Sequence, residues 1–174
     1  SDEATCAAAV ERLLEDALEQ GIVSDAIIAQ SGEQAEQLWG YREAVSELLS
    51  LTKPCAAFDV SVAMPNMNAL VTELREFLTS RYPDRQHLFF GHLGDVNLHL
   101  ISGPYTEPGA LELVEEEVYR CVGRYQGSIS AEHGIGMVKK DFLMHSRSSE
   151  EIYLMRGLRA LLDPKEILNR GRIV

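Results

Sequence analysis

Apolar residues at Cys6, Val10, Leu13, Leu14, Ala17 and Leu18 recur at helical spacing, and Gly21 follows where a glycine commonly ends a helix. The chain is therefore expected to open with a helix. Residues 22–30 are rich in β-branched side chains, which predicts a short strand, and Leu38, Tyr41, Val45 and Leu48 mark a second helix from about Gly32 to Ser50. After Lys53-Pro54, residues 57–63 read as a strand. Met67, Leu70, Leu74, Phe77 and Leu78 then form a helix that must stop before Tyr82-Pro83. Residues 87–92 and 96–102 read as two strands joined through the tight Gly94-Asp95 region, a hairpin. Leu111, Val114, Val118, Val122 and Tyr125 define an acidic amphipathic helix. A short strand near 128–131 and a helix over 149–162 complete the pattern. Helices alternate with strands, yet some strands are hairpin-linked. The expected fold is α+β: an antiparallel sheet of split β-α-β (ferredoxin-like) units covered by helices, with a C-terminal helical segment.

Composition narrows the class. A chain of 174 residues suffices for one core, so a single domain over 1–174, with or without helical additions, is expected. No apolar run approaches the roughly 18 residues of a membrane span, which predicts a soluble protein. Sixteen basic against 27 acidic residues give a net charge of -11. Such a surface repels phosphate backbones, so nucleic acid is not an expected partner. Cys6, Cys55 and Cys121 are odd in number, widely spaced and set among apolar residues, which points to buried core thiols in a reducing compartment. The N-terminal residues are acidic and helix-like rather than a basic-then-apolar leader.

The densest polar cluster is Gly91-His92-Leu93-Gly94-Asp95-Val96-Asn97-Leu98-His99. With the turn centred on Asp95 and Val96, His92 would face His99 directly across the hairpin, their Cβ atoms roughly 4.5–5.5 Å apart. Two imidazoles so placed suit a divalent ion, and a carboxylate would complete a two-histidine, one-carboxylate set with an open position. On spacing alone, two hydrogen-bonded histidines at a sheet end are the plainer reading. A second cluster, Ser130-Ala131-Glu132-His133-Gly134-Ile135-Gly136, offers Glu132 as the third ligand and the imidazole of His133 as a proton acceptor. An ordinary glycine turn with a solvated Glu-His pair would read the same way. In Leu38-Trp39-Gly40-Tyr41-Arg42-Glu43, Arg42 can clamp a carboxylate bidentately or pair with Glu43 or Glu47 on the surface.

Five ordered segments, 38–43, 59–62, 91–99, 132–139 and 163–172, together resemble the C-terminal domain of FAD-linked oxidases. This is the family of D-lactate dehydrogenase, the glycolate oxidase flavin subunit and D-2-hydroxyglutarate dehydrogenase. The resemblance implies that His92, His99 and Glu132 bind a divalent metal, zinc or manganese. Arg42 would hold a small 2-hydroxy acid, His133 would act as base, and Asn169 would face the flavin edge. It implies FAD, held mainly by a separate domain of the same parent chain that lies outside these residues, and an electron acceptor. The fragment alone is then expected to be inactive, and to form a homodimer where the face meant for the flavin domain is left open. The expected location is cytoplasmic, or peripheral to the inner membrane.

The sequence departs from the family pattern at positions beside this machinery. Val96 stands where the family has glycine, and Ala63 replaces a proline. Ala57 replaces a lysine of hydroxyglutarate-type members, with Lys53 not at the matching position, and Ile101 replaces an asparagine. These losses of polar groups leave a monocarboxylate such as D-lactate, or a bulkier apolar acid, as open as D-2-hydroxyglutarate. Arg170 and Arg172 replace proline and lysine and keep the tail basic. Two other classes compete: a free-standing small-molecule or metal-binding module without catalysis, and a structural domain whose histidines only pack.

Overall fold

A computed structural model describes residues 2–174, without the side chains of Ser46 and Leu48. The chain divides into two compact units, residues 1–46 and 47–174.

The first unit contains α1 (Glu3–Glu19) and α2 (Gly32–Glu43). Gly21, with φ of 66°, follows α1 as the spacing predicts. The Ser31 side chain accepts the Gln34 N–H and caps α2. Residues 22–30 form no strand, contrary to the expectation from their β-branched content. A strand exists only by pairing, and Ile22, Ile27 and Ile28 stay exposed in an unpaired segment. The helix expected over 32–50 is broken at Ala44, which caps α2, and resumes as α3 (Val45–Leu51).

In the second unit β1 (Ala56–Ser61), α4 (Met64–Arg81), β2 (Gln86–His92), β3 (Asn97–Gly103) and α5 (Ala110–Arg124) follow one another. β3 lies between β1 and β2 and is antiparallel to both, so β1 and β2 run parallel with α4 as their crossover. This is the split β-α-β unit. One sheet face carries Phe58, Val60, Leu98 and Leu100, packed on Leu70, Leu74 and Leu78 of α4 and Val114, Val118 and Val122 of α5. Each helix thus buries an i, i+4, i+8 stripe, which is why both lie on the same face. Glu73 of α4 pairs with Arg124 and Tyr125 at the end of α5.

The strand expected over 128–131 is reduced to one bridge, Ser61 with Ser128, on the outer edge of β1. The Ser128 hydroxyl bonds the Ser130 carbonyl at 2.8 Å, a local turn that competes with a longer ladder. A 3₁₀ helix (Lys140–His145) leads to α6 (Ser149–Leu162), which opens on a capping box between Ser148 and Glu151. Of the cysteines, only Cys121 is buried; Cys55 is half-buried and Cys6 exposed, so the expectation of three core thiols holds for one. Helix α1 buries none of its residues, which leaves Cys6 without a core to enter. Among the described residues no helix is long and apolar enough to cross a membrane.

Candidate functional site

The polar residues gather on the face of the sheet opposite α4 and α5. Strand alternation puts Ala57, Asp59 and Ser61 of β1, Asn97, His99 and Ile101 of β3, and Leu88, Phe90 and His92 of β2 on this face.

The hairpin turn differs from the two-residue form that would oppose the histidines. Leu93, Gly94 and Asp95 make a 3₁₀ turn, and Val96 closes it at φ 57°, ψ 27°. A two-residue type I′ turn demands positive φ at both central positions, whereas this four-residue loop places only Val96 there. The pairing therefore shifts by two, with His92 opposite Asn97 and Phe90 opposite His99. An even shift leaves every side chain on its own face. His92 and His99 remain neighbours, now diagonal, with ring centroids 5.5 Å apart and nearly perpendicular.

Glu132 and His133 reach this face because the chain runs along the outer edge of β1. Ser61 and Ser128 exchange backbone hydrogen bonds of 3.0 and 2.8 Å, and the Ala131 N–H donates to the Asp59 carbonyl at 3.1 Å. The N–H groups of Glu132 and His133 then donate to the Asp59 carboxylate, at 3.0 and 2.8 Å to Oδ2. Glu132 Oε1 comes to 3.7 Å from His92 Nε2. The His133 ring stacks on His99 at 5.8 Å between centroids, with an interplanar angle of 22°. His92, His99 and Glu132 each offer a ligand atom, all within 4.8 Å of one another, and Asp59, His99 and His133 form a second such group.

Burial and charge set the character of these groups. Burial lowers the His99 pKa, against Asp59 and Glu132, which favour the charged form, so His99 leans toward neutral imidazole, the form that ligates metals. Asp59 is 1% exposed. Its burial acts to raise the pKa, but the His133 and Glu132 N–H donors and Lys139 outweigh it and hold the carboxyl at about 2. Burial pushes the Lys139 ammonium below its ordinary value while Asp59 works to keep it charged. Lys139 Nζ lies 2.9 Å from Ser130 Oγ and 3.5 Å from Asp59 Oδ2.

The structure thus gathers His92, His99, Glu132 and His133 in one place. Arg42 sits half-buried in the last turn of α2, in the first unit. Asn169, at φ 45°, belongs to the tail after α6, where its carbonyl accepts from Arg159. That tail is tied to the loop beyond His133 by Ile173 N–H to the Gly136 carbonyl at 2.8 Å. Sequence reasoning gave Asp59, Lys139 and Asn97 no role. The signal was present for Asp59: an aspartate between Phe58 and Val60 is out of place in a strand unless it has buried partners.

A family model described as FAD linked oxidases, C-terminal domain, matches residues 1–173. The chain is 43% identical to a D-2-hydroxyglutarate dehydrogenase of Xanthomonas citri pv. viticola, covering 99% of this chain and 37% of that protein. It is 38% identical to a mitochondrial D-2-hydroxyglutarate dehydrogenase of Arabidopsis thaliana, over 100% of this chain and 31% of the relative. It is 37% identical to a putative mitochondrial D-lactate dehydrogenase of Schizosaccharomyces pombe, over 91% of this chain and 32% of the relative. The chain spans about a third of the length of the curated relatives it matches.

Proposed function

Since this chain belongs to the FAD-linked oxidase C-terminal domain family, we propose that it is the substrate-binding portion of an FAD-dependent dehydrogenase oxidising a D-2-hydroxy acid to the 2-oxo acid. The observation that carries the reading is the convergence of His92, His99 and Glu132 within 4.8 Å of one another, with His133 stacked on His99. Two imidazoles and a carboxylate are a donor set for zinc or manganese, and three ligands leave a coordination position for substrate. The residues present fit such an ion.

When bound there, the metal would polarise the substrate's hydroxyl and carboxylate, and a flavin held by another part of the parent protein would accept the hydride. His133 is the base in this reading. Its Nδ1 lies 3.8 Å from Asp59 Oδ2, so the carboxylate faces the positive charge the ring gains on taking the substrate's proton. Its side chain is 64% exposed, so a substrate can reach it. Arg42 supplies a guanidinium fork for the carboxylate, and Asn169 the polar group at the flavin edge. A homodimer, a separate electron acceptor and a location in the cytoplasm or at the inner membrane belong to the same proposal.

The relatives' names bring in D-2-hydroxyglutarate and D-lactate as candidate substrates. The register favours the shorter acid. Ala57 lies opposite Ile101, two residues along from the Asp59 and His99 pair and on the same face, and Leu88 flanks Ile101 from β2. No group at these three positions can hydrogen-bond a second carboxylate, and leaving one unpaired is costly. The test is anaerobic reduction of the flavin in the full-length protein, with D-lactate and D-2-hydroxyglutarate offered separately. Bleaching by D-lactate with a higher kcat/KM supports the reading. A preference for D-2-hydroxyglutarate overturns the substrate assignment, and wild-type activity without metal in a His92→Ala/His99→Ala variant overturns the metal site.

A further inference from the structure

We propose that Asp59 is a positioning residue for the metal ligand and the base together: it anchors the backbone that carries Glu132 and His133, and does not itself bind the ion. This rests on the reading of His92, His99 and Glu132 as the metal site. Three successive N–H groups, those of Ala131, Glu132 and His133, all end on residue 59, the first on its carbonyl and the next two on its carboxylate. Past the Ser61–Ser128 bridge, these hydrogen bonds to Asp59 hold the loop against the sheet. Asp59 also lies directly opposite His99 on the neighbouring strand. The residue thus references two of the three ligands and the base to a single point in the sheet, His99 through its backbone register and Glu132 and His133 through its carboxylate.

The geometry also decides between the two groups that share His99. In the inner group, Asp59, His99 and His133, the carboxylate already faces the Glu132 and His133 N–H groups, the Ser130 hydroxyl at 3.2 Å and the Lys139 ammonium at 3.5 Å. All four donors converge on Oδ2, Oδ1 takes a longer contact from the Glu132 N–H at 3.2 Å, and at 1% exposure the side chain offers no open face to an ion. A cation at Asp59 would also sit beside the buried Lys139 charge. In the outer group the Glu132 carboxylate faces His92 and is half-exposed, open to an ion. Asp59 therefore acts from behind the ligands, through charge-assisted hydrogen bonds that turn Glu132 toward His92 and hold the His133 ring over His99.

The experiment compares the full-length wild type with Asp59→Asn and Asp59→Asn/Lys139→Met by competition for zinc against a chromophoric chelator, with thermal unfolding in parallel. Asparagine keeps the volume but removes the charge that strengthens the Glu132 and His133 N–H hydrogen bonds, leaving one neutral amide oxygen to accept them. The double variant also removes the lysine charge that the single one strands, so it retains the fold even where Asp59→Asn does not. Groups behind metal ligands typically shift affinity about 10–100-fold. The expected result is one zinc per wild-type chain, and a double variant that melts near the wild type while binding zinc at least about tenfold more weakly. A folded double variant with wild-type zinc affinity overturns the role of Asp59 and leaves the metal site standing. A wild type that takes up no zinc overturns the metal reading itself, and the inference with it.

Discussion

Replacing Gly91 with alanine puts a methyl group where the partner strand already is. A Cβ built at Gly91 would lie 2.1 Å from the Asn97 carbonyl oxygen, 3.1 Å from its carbon and 3.2 Å from Leu98 Cα. All three are backbone atoms, so no rotamer change relieves the contact. Restoring about 3 Å of separation requires β2 and β3 to part by about 1 Å beside His92. Overpacking of this kind costs about 1–3 kcal/mol. For a chain of this length, about 2 kcal/mol lowers the melting temperature by roughly 4–8 °C. Metal sites tolerate about 0.2 Å of error in ligand distance, so zinc binding should suffer even in molecules that stay folded. Gly94 is the internal control. It lies in the same motif, yet a Cβ there meets nothing within 4 Å and its φ is not positive, so Gly94→Ala should change stability by less than about 0.5 kcal/mol. Circular dichroism melts of both variants and the wild type decide the matter. A Gly91→Ala protein that melts with the wild type, or a Gly94→Ala loss as large as that of Gly91→Ala, refutes the account of the hairpin.

Native thiol labelling at pH 8 should modify the exposed Cys6 first and spare Cys121, whose thiol is pushed up to about 12 by burial and the neighbouring Glu73; labelling of Cys121 before unfolding would contradict this. Burial acts to raise the Glu73 pKa, but Arg124 and Tyr125 outweigh it and leave the value below the ordinary one. A depressed folded-state pKa stabilises above the unfolded value and fades as pH falls through the folded value. Wild type should therefore lose its advantage over Glu73→Gln on acidification below about pH 4, by under about 1 kcal/mol for so exposed a pair, in denaturant titrations at several pH values. Ser148→Ala should cost about 1 kcal/mol by removing the cap of α6, seen as faster amide exchange in its first turn, with Glu151 the residue to watch.

The sequence determined what depends on local spacing. The i, i+4 stripes of α4 and α5, the alternation in β1, β2 and β3, and the stop at Tyr82-Pro83 are properties of a short stretch of chain, and each element lies within a residue or a few of where its pattern put it. The shared face of His92 and His99 was legible for the same reason, since alternation survives any even register shift. What depends on partners was decided by the tertiary structure. Residues 22–30 have the composition of a strand but form no ladder among the described residues. Residues 128–131 have an edge, but a serine turn takes over after one bridge. The two-residue shift of the hairpin followed from where one left-handed residue, Val96, fits in the turn. Asp59 shows the divide most plainly: the sequence places it 73 positions before Glu132, and only the fold, by laying the loop along the edge of β1, brings three consecutive N–H groups to it.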